Sequence, residues 1–270
     1  MIFEILIVAG VGVLSAAIRS FRHPALFRIG TLGFVLTSFL AGWLIGGNIG
    51  TGLCFASTWF ILPWLEILTK VRKVRLPLDR RIEPCAPPAR ATFPAFSDLS
   101  DEMEAGGLEY IEDAGWSHEE NRQFYRLFLS QDRKTAAAIC LVEQADFAFY
   151  FIVLRSHALD GRLVVTWNYP FSYGLYQVPR TIVNRAGGEK SIPEIITLHQ
   201  DFLKREGGIE LRSMDDRSLR SEMQADLRNQ LDHNLTCGIL KREGDSMIRY
   251  TFRGMFFLWF QFLRDFVRFS

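Results

Sequence analysis

Phe147-Ala148-Phe149-Tyr150-Phe151-Ile152-Val153-Leu154 is the stretch on which the fold turns. It is a nearly continuous apolar run, rich in aromatic and β-branched residues, and reads as a strand central in a sheet. Downstream, Asp160-Gly161 supplies the turn chemistry of a hairpin, with Leu163–Trp167 as the return strand. Upstream, Ala136–Val142 is a further strand, reached through the turn residues Asp132-Arg133-Lys134. The segment before that, Gln123–Ser130, is ambiguous. Phe124, Leu127 and Phe128 fit a helix, and Ser117-His118-Glu119-Glu120 looks like a capping box ahead of it. Tyr125, Leu127 and Leu129 fit one face of a strand, and the turn that follows favours that reading. With Leu108–Asp113 as a first strand, residues 108–168 form an antiparallel meander of four or five strands.

Helices flank the meander. Asp98–Ala105 reads as a short acidic helix. Ser191-Ile192-Pro193-Glu194 is a helix start, with Ile195, Leu198, Phe202 and Leu203 on one face and Gly207-Gly208 as the stop. A second helix runs from Asp215 or Asp216 to about Leu235 on the stripe Leu219, Met223, Leu227, Leu231. The expected class is therefore α+β over residues 98–248, with the helices covering one face of the sheet.

The N-terminus is a different material. Residues 1–69 carry only Glu4, Arg19, Arg22, Arg28 and Glu66 as charged side chains, whereas the rest is charged at ordinary density. Three apolar runs, at about 2–18, 29–46 and 51–69, are each near the length of a membrane-spanning helix. The first lacks the basic n-region of a signal peptide. The loop Arg19–Arg28 and the stretch Lys70-Val71-Arg72-Lys73-Val74-Arg75 are basic, while Gly47–Gly50 is uncharged. The positive-inside rule then places the N-terminus outside and everything after Lys70 in the cytoplasm, in a plasma or inner membrane. Gly42 and Gly46 form a GxxxG pair that suits close helix contact, within the chain or with a protein partner or second copy. Residues 70–97 follow as a basic, proline-rich linker. Five prolines between 76 and 97 exclude a helix interior and suggest an extended spacer.

Residues 249–270 form an aromatic amphipathic helix in which Arg253, Gln261, Arg264, Asp265 and Arg268 share a narrow polar arc. A helix of this kind suits the membrane interface, and the alternative is packing on the domain or the anchor. The residues expected to meet the lipid bilayer are Lys70, Arg72, Lys73, Arg75, Arg249, Arg253, Phe256, Trp259 and Phe266.

Net charge is +1, which offers no basic field for nucleic acid. The cysteines at 54, 85, 140 and 237 have no zinc or redox spacing and read as free thiols. The histidines at 23, 118, 157, 199 and 233 lack metal spacing and read as surface or capping residues. No nucleotide loop, nucleophile elbow or metalloprotease motif occurs, so no catalytic residue, metal or cofactor is indicated. One binding candidate stands out. The aromatic segment after Trp167 carries Tyr169, Phe171, Tyr173 and Tyr176, with Arg180 beyond it. Aromatics on a loop suit a ligand pocket or a partner contact. The composition thus points away from an enzyme, toward an integral membrane protein whose cytoplasmic domain binds a protein or lipid partner at the inner surface. Two other readings stay open: a membrane-bound enzyme acting on a lipid-soluble substrate, and a small subunit of a larger membrane complex.

Overall fold

The computed structural model describes residues 2–21, 23–144, 147–171, 174–187, 190–207 and 209–268. Three apolar helices open the chain: α1 (Ile2–Arg19), α2 (Pro24–Gly46) and α3 (Ile49–Lys70). Each is long and apolar enough to cross a membrane. The second starts more than a turn before its apolar run at Ile29. Pro24 occupies a first-turn position where no N–H is missed, and the His23 ring accepts the Ala25 amide at 3.3 Å. Small residues let the helices approach backbone to backbone. A Cβ on Gly42 would lie 2.7 Å from the Phe55 side chain of α3, and Gly46 backs onto Thr51 of the same helix. The glycine pair therefore serves a contact inside the chain.

The proline-rich stretch is extended, but it is bound along the domain instead of spanning free. Its first strand, β1 (Leu76–Pro77), joins a small sheet, and β2 (Glu83–Pro84) joins the large one. Between them the Ile82 amide donates to Gln224 at 2.7 Å, and Ile82 and Phe93 are both buried. Then come α4 (Phe96–Ala105), β3 (Leu108–His118), β4 (Asn121–Ser130), β5 (Ala136–Gln144), β6 (Phe147–His157), β7 (Leu163–Trp167) and β8 (Thr181–Arg185). The large sheet has seven strands in the order β2-β3-β4-β5-β6-β7-β8. Neighbours are antiparallel except β7 and β8, which are parallel. The meander of the sequence reading is its interior. The two added edges were hidden because β2 is two residues with a proline, and β8 needs the long 168–180 crossover. Ser117–Glu120 closes a hairpin, with Glu119 at φ 54°, and caps no helix.

Strand β6 pairs with β5 over Phe147–Arg155, but β7 reaches only Val153–His157. Its first half is consequently exposed at Phe147, Ala148 and Tyr150, and β5 is the most buried strand instead. Asn168 ends the β7 pairing by exchanging hydrogen bonds with the Ile152 backbone, and the aromatic segment departs from there.

Helices lie on both faces of the sheet, not on one. On the first face α4 and α5 (Ile192–Arg205) cover Phe128, Ile139, Ile152 and Leu154, each at most 1% exposed. Residues 209–218 then pass the sheet end, bridging Ala158 to Leu211. That path delivers α6 (Leu219–Thr236) to the second face, against Tyr125, Leu127, Cys140 and Val165. The chain ends with β9 (Leu240–Glu243), β10 (Met247–Tyr250) and α7 (Phe252–Arg268). Strand β10 pairs with both β9 and β1, with Leu76 opposite Ile248. Entry from α3 and exit to α7 thus pass through one three-stranded sheet.

Helix α7 is packed on two sides. Toward the anchor, the Trp259 indole N–H donates to the Phe60 carbonyl at 2.8 Å. Trp64 meets the rings of Phe252, Phe256 and Trp259 edge-on at 5.5, 6.1 and 5.8 Å. Toward the domain, Met255 is buried, Phe257 packs on Tyr176 at 4.3 Å, and Asp265 pairs with Arg185 at 3.5 Å. Two members of the polar arc, Gln261 and Asp265, are therefore buried and do not face water.

Candidate binding cleft

Alternation along β6 sends Ile152, Leu154 and Ser156 to the α5 face and Phe151, Val153, Arg155 and His157 to the α6 face. Helix α6 covers the second face incompletely because its apolar stripe serves two cores. Leu219 and Met223 pack on the large sheet, and Leu231 packs on the small one. Leu227, between them, roofs a cleft of about 600 Å³, within the size range of small-molecule sites. Its floor is Tyr125, Cys140, Phe151, Val153 and Val165, and segment 177–181 forms one wall.

Charge gathers at one end. Glu222 and Asp226 are one helical turn apart on α6, and Arg155 and His157 are two apart on β6, so all four share the space between. Asp226 lies 3.0 Å from Arg155 and 3.4 Å from His157. Glu222 lies 4.0 Å from His157 and 2.6 Å from Arg212. The histidine thus stands between two carboxylates, each also paired with an arginine. The floor is chemically quiet by contrast. Burial pushes the Cys140 thiol up to about 12 and the Tyr125 phenol well above its usual range. Both stay protonated at neutral pH, and Cys140 is no nucleophile there. Among the described residues no three His, Cys, Asp or Glu side chains converge in a way that would hold a metal ion.

At its other end the cleft continues into a second hollow of about 450 Å³, sharing Gln123, Leu227 and Gln230 with it. This hollow is lined by Phe147, Phe149, Tyr169 and Phe171, with rings meeting edge to face: Phe149 to Phe171 at 4.8 Å, and Phe151 beneath to Tyr169 at 5.0 Å. From Phe149 to His157 the path along β6 is roughly 25 Å at the rise of a strand.

Of the residues read from sequence as a binding loop, Trp167 and Arg180 line the cleft, and Tyr169 and Phe171 line the hollow. Tyr176 turns away to Phe257, its backbone held by Asn234 and Gln230. Tyr173 lies outside the described residues. Arg185 is the clamp of this loop, donating to the carbonyls of Tyr169 at 3.2 Å and Phe171 at 2.6 Å. The charged end was missed by the sequence reading. Its available signal was a pair of basic side chains at spacing two on a strand, matched to acids at spacing four on a helix.

The residues read as membrane-facing divide. Arg75 and Arg249 both pair with Glu243 inside the small sheet, and Lys70 pairs with Glu66 at 2.6 Å. Arg72, Lys73, Arg253 and Phe256 are exposed, and Trp259 is half-buried against α3. The side chain of Phe266 lies outside the described residues.

On the sealed face His199 is fully buried, contrary to its reading as a surface residue. Its ring meets Ser156 at 3.1 Å and Thr166 at 2.8 Å, and Ser156 meets Thr135 at 3.0 Å. Burial lowers its pKa to about 4, so it is neutral. Ser156 is itself 0% exposed, so this serine–histidine pair holds α5 to the sheet and reaches no substrate.

Comparison of the chain with protein-family models, curated proteins and solved structures found no match.

Proposed function

We propose that this is a three-span membrane protein whose α+β domain, on the cytoplasmic side, binds an amphipathic ligand in the cleft beneath α6. The observation that carries the reading is the cleft's shape and polarity. It is concave and apolar along Val153, Val165 and Leu227, charged at Arg155, His157, Arg212 and Asp226, and prolonged by an aromatic hollow at the other end. Such a profile suits a molecule with an apolar body and a polar head better than it suits a flat protein surface. The basic residues after α3 support the cytoplasmic placement, and the uncharged Gly47–Gly50 turn supports the reverse side for its own loop. Anchoring at both α3 and α7 fits a domain that works next to the bilayer.

Native mass spectrometry of the full chain from mild detergent tests this. A lipid-sized adduct in the wild type, absent from Leu227→Trp, is the expected result. A bare mass in both, or a stoichiometric protein partner with no small ligand, contradicts it. A second reading has its own observation: His157 between two carboxylates is placed to move a proton on a bound ligand. In that case His157→Gln retains the adduct, and only with the wild type does the bound ligand take up deuterium from heavy water.

A further inference from the structure

We propose that α7 is immersed in the acyl region of the leaflet next to the domain, carrying the aromatic tip of the sheet to the lipid surface. The inference rests on α1–α3 crossing a bilayer, and depth along α3 then supplies the ruler. Trp259 bonds to the Phe60 carbonyl, ten residues before the end of α3 at Lys70. At 1.5 Å per residue that is about 15 Å inside the helix end, near the middle of a hydrocarbon layer about 30 Å thick. Trp64, which touches three α7 rings, is about 9 Å inside by the same measure.

The faces of α7 agree with that depth. Phe252, Phe256 and Phe260 repeat every fourth residue and are 66, 51 and 54% exposed. Phe252 and Phe256 meet Trp64 of α3, and none of the three stripe residues belongs to a domain core cluster. In water this would be a large contiguous aromatic patch, which soluble surfaces rarely carry. Two of the polar groups that immersion penalises are withdrawn, and Arg264, 38% exposed at its side chain, is paired with Asp265 at 3.6 Å. Gln261 and Asp265 are buried against the domain, and Arg185 neutralises Asp265. Arg185 also holds the Phe171 carbonyl, so the exposed rings of Phe171 and Phe147, 6.4 Å apart, lie on the same side of the molecule as the end of α7. The exposed cations Arg72 and Lys73 sit just past the end of α3, at headgroup level, and the exposed Arg253 stands in the first turn of α7. The occupant of this surface is the acyl layer itself, and the hollow behind Phe149 and Tyr169 opens beside it.

Spin labels test the depth. Phe256→Cys, Phe260→Cys and Phe171→Cys are each labelled in a background with Cys54, Cys85 and Cys237 changed to Ser, in phosphatidylcholine–phosphatidylglycerol vesicles. Leu62→Cys on α3 is the lipid control, and Glu120→Cys at the β3–β4 turn is the water control. Oxygen accessibility severalfold above that of a water-soluble nickel chelate is expected at 256 and 260, matching position 62, with 171 intermediate. Nickel accessibility at 256 and 260 equal to that at 120, while 62 stays lipid-like, overturns the proposal alone. An aqueous reading at 62 overturns the three-span reading and this proposal with it.

Discussion

The two faces of the seven-stranded sheet are built from the same strands, yet they differ in closure. On the α4–α5 face Phe128, Ile139, Ile152 and Leu154 are closed off from solvent, and even the polar trio Ser156, His199 and Thr166 satisfies itself. On the α6 face the covering helix is shared between two cores and leaves the cleft under Leu227. The polar groups there, Arg155, His157, Glu222 and Asp226, keep side chains partly open to solvent. The difference teaches where to look for function. A sheet face that is sealed serves stability, and one that is held open with charges at its end is available to a ligand.

The largest test of that contrast is a pair of truncations. Phe128→Ala on the sealed face should cost about 3–5 kcal/mol, because nothing can collapse into the hole. Phe151→Ala on the cleft face should cost roughly half as much, since it enlarges a space that already admits water. Urea unfolding of the full chain in detergent reads both, and equal costs would break the comparison.

Next in size is the pH dependence of the sealed face. The unfolded His199 ring takes a proton near pH 6.5, and the folded one not until about pH 4. Its contribution is complete above pH 6.5 and is lost as pH falls toward 4, by about 3 kcal/mol over the whole window. The His199→Gln variant should show a flatter profile between pH 6.5 and 4 in the same unfolding assay.

The cleft charges should matter less to folding. Replacing Arg155 with Met and Asp226 with Leu together removes an ion pair without stranding its charges on each other, and stability should change by no more than about 1 kcal/mol. Ligand retention in native mass spectrometry should nonetheless fall at least about tenfold, which corresponds to about 1.4 kcal/mol of binding. The smallest effect belongs to the cleft wall. Arg180 holds a left-handed φ of 69°, a strain of about 1–2 kcal/mol that glycine relieves. Glycine's greater unfolded freedom takes back up to about 1 kcal/mol, so Arg180→Gly should raise stability by roughly 0.5 kcal/mol.

Much of this was legible in the residues. The three apolar helices, the inner strands β3–β7 and the helices α4, α5 and α6 follow from period and capping signals within each segment. The aromatic loop was recognisable as well, and four of its candidates line the cleft or its extension. The rest depended on pairings between distant segments. Strand β2 exists only because β3 offers it an edge, and α6 sits on the second face because residues 209–218 cross the sheet end. Arg155 and Asp226 are 71 positions apart, and nothing local in either announces the other. The burial of His199 is equally tertiary, since it depends on Ser156 and Thr166 supplying hydroxyls across the interface.

The most direct measurement is photo-cross-linking from the two faces in native membranes. A benzophenone amino acid is placed at Leu227 over the cleft and, in a second protein, at Leu198 on the sealed face. The account predicts a lipid-sized cross-link from position 227 and none from position 198. Equal labelling at both positions, or none at 227 in a protein that remains folded, would contradict the claim that the open face holds the ligand.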